Sequence, residues 1–225
     1  GLNLSSKVND YVKFNSRFIV GSQANGGFAS LNAGKENNTD NVQGADGQAD
    51  VTLSNAYFGF TAIPNTVVNI GKQGLTTPYT VAVDINGNEQ TGTGILALTT
   101  VGPVTGGLGY FNNTNLNKSS EINLTQGLGL DTFPNGASGV INGGQDVYVA
   151  TVQGDLDFVK LEAWYLGHQE NFNSYTLAAT SNIDLAENAK IGLEARYVNL
   201  KLTNDATDRI ASGINKSVNA DYSVD

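Results

Sequence analysis

The sequence predicts an all-β fold, a transmembrane antiparallel β-barrel, and three observations carry that expectation. Short segments alternate apolar and polar residues with the two-residue period of a strand. Tight turns take turns with long polar loops along the chain, as in outer-membrane barrels. No run of about 18 apolar residues exists that could cross a bilayer as a helix, so any crossing must be made by strands. A soluble sandwich or solenoid strand also alternates, but its core would need larger aliphatics than the many Ala, Thr and Gly found here.

Residues 2–8 set Leu2, Leu4 and Val8 against Asn3, Ser5 and Lys7, and Asn9-Asp10 supplies a tight turn. Residues 11–23 follow as the clearest strand, with Val12, Phe14, Ser16, Phe18 and Val20 interleaved with Lys13, Asn15 and Arg17. Residues 25–50 are rich in Gly, Asn and Asp without apolar period, which predicts a long exposed loop. Strands at 51–63 and 67–72 join at Pro64-Asn65, where proline fits a turn but would break a ladder.

Residues 74–92 mix apolar and polar residues around Thr76-Thr77-Pro78-Tyr79 and are expected to be a loop inserted into the lumen. Strands at 95–101 and 104–112 flank Gly102-Pro103, and residues 113–144 form a further long loop. Strands at 146–152 and 156–167 are expected to turn at Gln153-Gly154-Asp155, followed by strands at 175–183 and 190–202. After Tyr197 the apolar parity passes to Val198, Leu200 and Leu202, which predicts a bulge or a departure from the membrane. The count is about eleven strands in one barrel domain spanning residues 1–225.

Charge and composition remove several function classes. The 21 acidic and 12 basic residues leave a net charge of −9, which disfavours nucleic acid or an anionic lipid surface as a partner. The lack of cysteine excludes thiolate metal sites and cysteine nucleophiles, and it suits export through an oxidising periplasm. Catalysis has little material: the one histidine, His168, stands beside Gln169-Glu170-Asn171 at a strand end and is expected to be a solvated loop-end side chain. The chain lacks an N-terminal Met and a leader pattern, and Tyr222-Ser223-Val224-Asp225 does not close a strand on an aromatic residue. A stretch from within a longer barrel is therefore expected.

The polar parity of the strands holds the candidate functional residues. Lys13, Arg17, Lys160, Glu162, Lys190, Glu194 and Arg196 would line a water-filled interior and set a transverse field there. Asp84 and Glu89 on the inserted loop would face that wall at a constriction. Asp84, Asn86 and Asn88 place oxygen ligands at alternate positions, as the first part of a calcium loop does, without the glutamate that completes one. A polar turn accounts for the same residues.

Several stretches resemble the major outer membrane proteins of Campylobacter and its relatives: Leu4-Ser5-Ser6 through Asn15-Ser16-Arg17, Ser54-Asn55-Ala56-Tyr57-Phe58-Gly59-Phe60, Ile70-Gly71-Lys72-Gln73 with the following Asp84 and Gly92-Thr93-Gly94, and Glu162-Ala163-Trp164-Tyr165 through Glu194-Ala195-Arg196-Tyr197-Val198-Asn199-Leu200. The resemblance implies an eighteen-stranded, trimeric, general-diffusion porin of a Gram-negative outer membrane, in contact with its lipids, with calcium at an acidic lumen site. The leading expectation is passive passage of ions and small hydrophilic solutes without a cofactor or a chemical step. The alternative is a surface adhesin or structural barrel acting through its long loops.

Overall fold

The computed structural model describes residues 1–20, 29–30, 51–80, 89–116, 144–186, 189–208 and 211. Among them eleven strands form one antiparallel sheet: β1 (Leu2–Lys7), β2 (Val12–Val20), β3 (Ala29–Ser30), β4 (Val51–Phe60), β5 (Thr66–Gly74), β6 (Thr91–Val101), β7 (Val104–Thr114), β8 (Val147–Leu156), β9 (Val159–His168), β10 (Phe172–Ala186) and β11 (Ala189–Leu202). Each pairs with its neighbour in the chain, except that β3 lies off the path on β4 and β2 pairs β4 directly. Short turns join β1 to β2, β4 to β5, β6 to β7 and β8 through β11, because two antiparallel strands need only a few residues between them, and longer connections join the remaining pairs.

Alternation sorts the side chains onto two faces. One cross-strand row runs Phe14, Phe58, Ile70, Ile95, Tyr110, Tyr148 over six strands. Its aromatic ends pair directly, with ring centroids 5.1 Å apart for Phe14–Phe58 and 5.4 Å for Tyr110–Tyr148. A neighbouring row brings Tyr165 to 5.1 Å from Tyr175. This face is apolar and open: Phe58, Ile70, Leu108, Leu161, Leu177 and Leu193 are all exposed. Such a surface suits hydrocarbon, not water.

The opposite face carries Lys13, Asn15 and Arg17, then Asn55, Tyr57 and Asn69, and farther along Thr151, Gln153, Lys160, Glu162 and Trp164. Here lies the one buried apolar cluster of the described residues: Leu75, Phe111, Leu116, Val147, Val149, Leu166 and Phe172, with Tyr79, Leu96, Trp164 and Leu202 packed against it. Each large side chain so covered contributes about 1.5–3 kcal/mol. Leu75 belongs to the segment after β5, so the cluster seats that segment on the inner face of the sheet.

Two glycines are required by the backbone. Gly71 adopts φ +130°, and a Cβ there would lie 2.5 Å from the Ala56 carbonyl oxygen. At Gly94, beside a register shift between Thr93 and Gly94, a Cβ would strike the Tyr110 carbonyl oxygen.

Several element limits differ from the sequence expectation. Ala29–Ser30 pairs with Leu53 and Thr52, inside the stretch expected to be loop. Gln153-Gly154-Asp155 is not a turn: Gly154 pairs with both Val104 and Leu161, and Asp155 faces Lys160, so the ladder continues to Leu156 and turns at residues 157–158. The ladder that Gly154 joins on both sides outweighs its local preference for turns. The strand expected at 175–183 extends over Phe172–Ala186. The β10–β11 register runs unbroken through Tyr197, from Leu177 opposite Tyr197 to Tyr175 opposite Asn199. No bulge occurs there, so the polar Asn199 and Lys201 simply take over the outward positions.

Candidate functional site

The inner sheet face is the candidate site, and its cations are mostly partnered. Arg17 Nε stands 2.5 Å from Glu89 Oε1, off the line of its N–H bond, so the contact is one of charge. Glu89 is buried, and its Oε2 accepts a hydrogen bond from Asn55 Nδ2 at 3.3 Å. Lys160 Nζ lies 2.6 Å from Glu162 Oε1, and Arg196 Nη2 lies 2.8 Å from Glu194 Oε1. Both pairs are two residues apart on one strand, hence on the same face. Glu162 Oε2 also accepts from Trp164 Nε1 at 3.0 Å.

Register shows what these residues share. Glu162 and Arg196 both face Ala178, and Lys160 and Glu194 both face Thr180, so the four form two adjacent rows across β9, β10 and β11. Lys190 is exposed and opposes Asp184. Lys13 is exposed on β2, between Lys7 and Gly59, and forms no ion pair among the described residues. Lys13 and Arg17 are not brought to the β9–β11 rows, since β4 to β8 stand between them in the sheet. The polar face therefore carries a mosaic of opposite charges.

The segment after β5 is built by its own hydroxyls. Thr80 Oγ1 donates to the Leu75 carbonyl at 2.9 Å and accepts from the Thr77 amide at 2.9 Å, folding the chain tightly around Pro78. Leu75 N donates to the Gln90 carbonyl at 2.9 Å, which ties the outgoing end to the returning one. Thr176 Oγ1 on β10 donates to Tyr79 Oη at 2.7 Å. On the return, Asn115 Nδ2 donates to the Glu89 carbonyl at 2.6 Å and Asn115 Oδ1 accepts from Thr91 N at 2.7 Å. The segment thus touches β10 at Tyr79 and the β2–β4 wall at Glu89.

Asp84, Asn86 and Asn88 fall outside the described residues. Among those described, no group of three or more His, Asp or Glu side chains could hold a metal ion. His168 is buried, with Nδ1 2.8 Å from Asn171 Nδ2 and its ring 5.8 Å from Phe172. The solvated loop-end position expected for it is corrected: His168 ends β9 opposite Phe172, whose ring packs against it, and Asn171 covers its Nδ1. Sequence reasoning also passed over Asn55, Tyr57, Asn69 and Gln153, whose only signal was their place in the polar parity.

Among solved structures, the chain is similar to Pseudomonas aeruginosa OccK5 (OpdH), at 11% identity and a TM-score of 0.59 over 91% of this chain and 49% of that one. It is similar also to the outer membrane protein OprD from Pseudomonas aeruginosa, at 11% identity and a TM-score of 0.55 over 90% of this chain and 42% of that one. The fold is that of a transmembrane β-barrel. For Pseudomonas aeruginosa OpdL the values are 11%, 0.53, 91% and 48%. The chain spans just under half the length of these barrels. No family model and no curated protein matches the chain. The likeness shows the barrel fold and does not extend to the Campylobacter-type family that the sequence stretches resemble.

Proposed function

We propose that the chain is the wall of a water-filled porin, passing ions and small hydrophilic solutes across the outer membrane of a Gram-negative bacterium without a chemical step. The observation that carries this reading is the two-sidedness of the sheet: an unbroken apolar row faces one way, and charged and amide side chains face the other. A barrel wide enough to hold such a polar interior holds water. Outer-membrane lipids would then cover the apolar face.

In this reading Lys13, Arg17, Lys160, Glu162, Lys190, Glu194 and Arg196 line the channel, and residues 74–92 narrow it, with Glu89 on the narrowing segment. The seating of Leu75 and the contacts of Tyr79 and Glu89 support the inserted position. The narrower reading is a homotrimeric barrel of the Campylobacter type; cross-linking of the native membrane tests it, and a solely monomeric product would refute the trimer.

The deciding experiment is single-channel conductance of the full-length protein in a planar bilayer, with Lys13→Glu alongside. Stable conductance steps are expected, with selectivity moved toward cations in the variant. A correctly folded barrel without steps would overturn the reading.

A further inference from the structure

The inner face holds a cleft of about 340 Å³ beside the start of the segment after β5. That volume lies within the roughly 300–1,000 Å³ of small-molecule sites. Tyr57, Asn69, Gln153 and Trp164 line it from four different strands, and Leu75 and Thr77 line it from the segment. No lysine, arginine, aspartate or glutamate belongs to its wall among the described residues.

Three polar side chains of this cleft, Tyr57, Asn69 and Gln153, are largely uncommitted, whereas Asn55 is held by Glu89 and Thr77 by Thr80. Among the described residues the Tyr57 hydroxyl and the Asn69 amide make no side-chain hydrogen bond. The Gln153 amide has only a 3.4 Å contact with Thr151 Oγ1. Trp164 differs, because its indole N–H is held by Glu162 at 3.0 Å. That bond fixes the ring, so what Trp164 presents is an aromatic surface and not a donor. Glu162 is in turn neutralised by Lys160.

We propose that this cleft is a binding site for an uncharged, polyhydroxylated solute of mono- or disaccharide size, and the proposal rests on the porin reading for how the solute reaches it. Amides and a phenol supply both donors and acceptors, which is what vicinal hydroxyls require. A fixed aromatic ring matches the C–H face of a sugar ring. A carboxylate or an ammonium ion would leave water for a wall without a free counter-charge, and that transfer is unfavourable. Affinity must be weak, since a solute held tightly would not leave the channel.

Trp164 is the sole tryptophan of the 225 residues and so reports on the site. The full-length protein, folded in lipid vesicles, is titrated with sucrose while emission is recorded, and Trp164→Phe is subtracted to isolate the signal of that ring. A saturating change is expected. Asn69→Leu and Gln153→Leu, each checked for folding by heat-modifiable mobility, should each raise the half-saturation about three- to tenfold, the effect of one lost hydrogen bond. Two separate variants keep the test open if one fails to fold. A response linear in sucrose, the same in wild type and variants, overturns the site. So does saturation by sodium glutamate or arginine hydrochloride in place of sucrose. Stable conductance steps with no saturating sucrose response overturn the site and leave the porin reading standing; saturation in a protein without conductance does the reverse.

Discussion

Placing arginine at Leu161 tests the assignment of the two faces. Leu161 is exposed on the apolar face of β9, opposite Gly154 and Ala179. Along β9 it stands four positions from Tyr165, whose ring pairs with Tyr175, and three from the exposed Phe158 on the other side. At about 3.3 Å per residue, Leu161 is ~13 Å from Tyr165 along the strand. A tilt near 40° reduces this to about 10 Å of depth, close to the middle of an apolar band about 25 Å tall. Arginine at that depth costs about 2–4 kcal/mol, whereas near the interface it costs about 0–1 kcal/mol. Val104, next to the Gly102-Pro103 turn and also outward and exposed, is the interfacial control. Urea titration of the folded fraction in lipid vesicles is expected to show Leu161→Arg as the costlier change by at least about 1 kcal/mol. Equal costs for the two variants would mean that this face does not meet hydrocarbon.

Three further outcomes follow from local geometry. Gly71→Ala should lose more than about 1 kcal/mol in the same titration, because its φ of +130° and the nearby Ala56 carbonyl leave no room for a Cβ; unchanged stability would show that β5 can shift away. Glu89→Gln removes the counter-charge of Arg17, so single-channel records should gain excess noise and selectivity should move toward anions; a trace indistinguishable from wild type would mean the pair does not hold the segment. Lys160→Ala should change stability by no more than about 1 kcal/mol, since its ion pair with Glu162 is partly open to solvent, and a larger loss in urea would contradict that exposure.

The alternation of Phe14, Phe18 and their neighbours was enough to read the strands and their neighbour-to-neighbour pairing, because period and turn chemistry are local. Gly154 misled for the same reason: its turn preference is local, while the ladder joining Asp155 to Lys160 depends on another strand. The buried place of His168 follows from its register opposite Phe172 across the β9–β10 turn and the ring contact between them, which its polar neighbours at 169–171 hide. On the inner face, charges stand out in a sequence and amides do not, so the polar parity of Lys13 and Arg17 was legible and that of Asn55 and Asn69 was passed over. Nor could Glu89 be matched to Arg17, since both ends of that contact lie on elements whose approach is set by the folding of the segment between β5 and β6.

The hydrogen bond from Thr176 to Tyr79 joins positions 97 apart in the chain, while every ladder joins strands adjacent in order or separated only by β3. Bringing distant positions together costs loop-closure entropy before any contact rewards it. The hairpins can therefore zip one after another without Tyr79, and the segment can seat only once β10 has arrived. Substitution of Thr176 by valine should accordingly speed unfolding and leave the folding rate unchanged, the mark of a contact formed after the rate-limiting step. Assembly of the sheet and seating of the segment after β5 are then separate events in time, with the second waiting on the first.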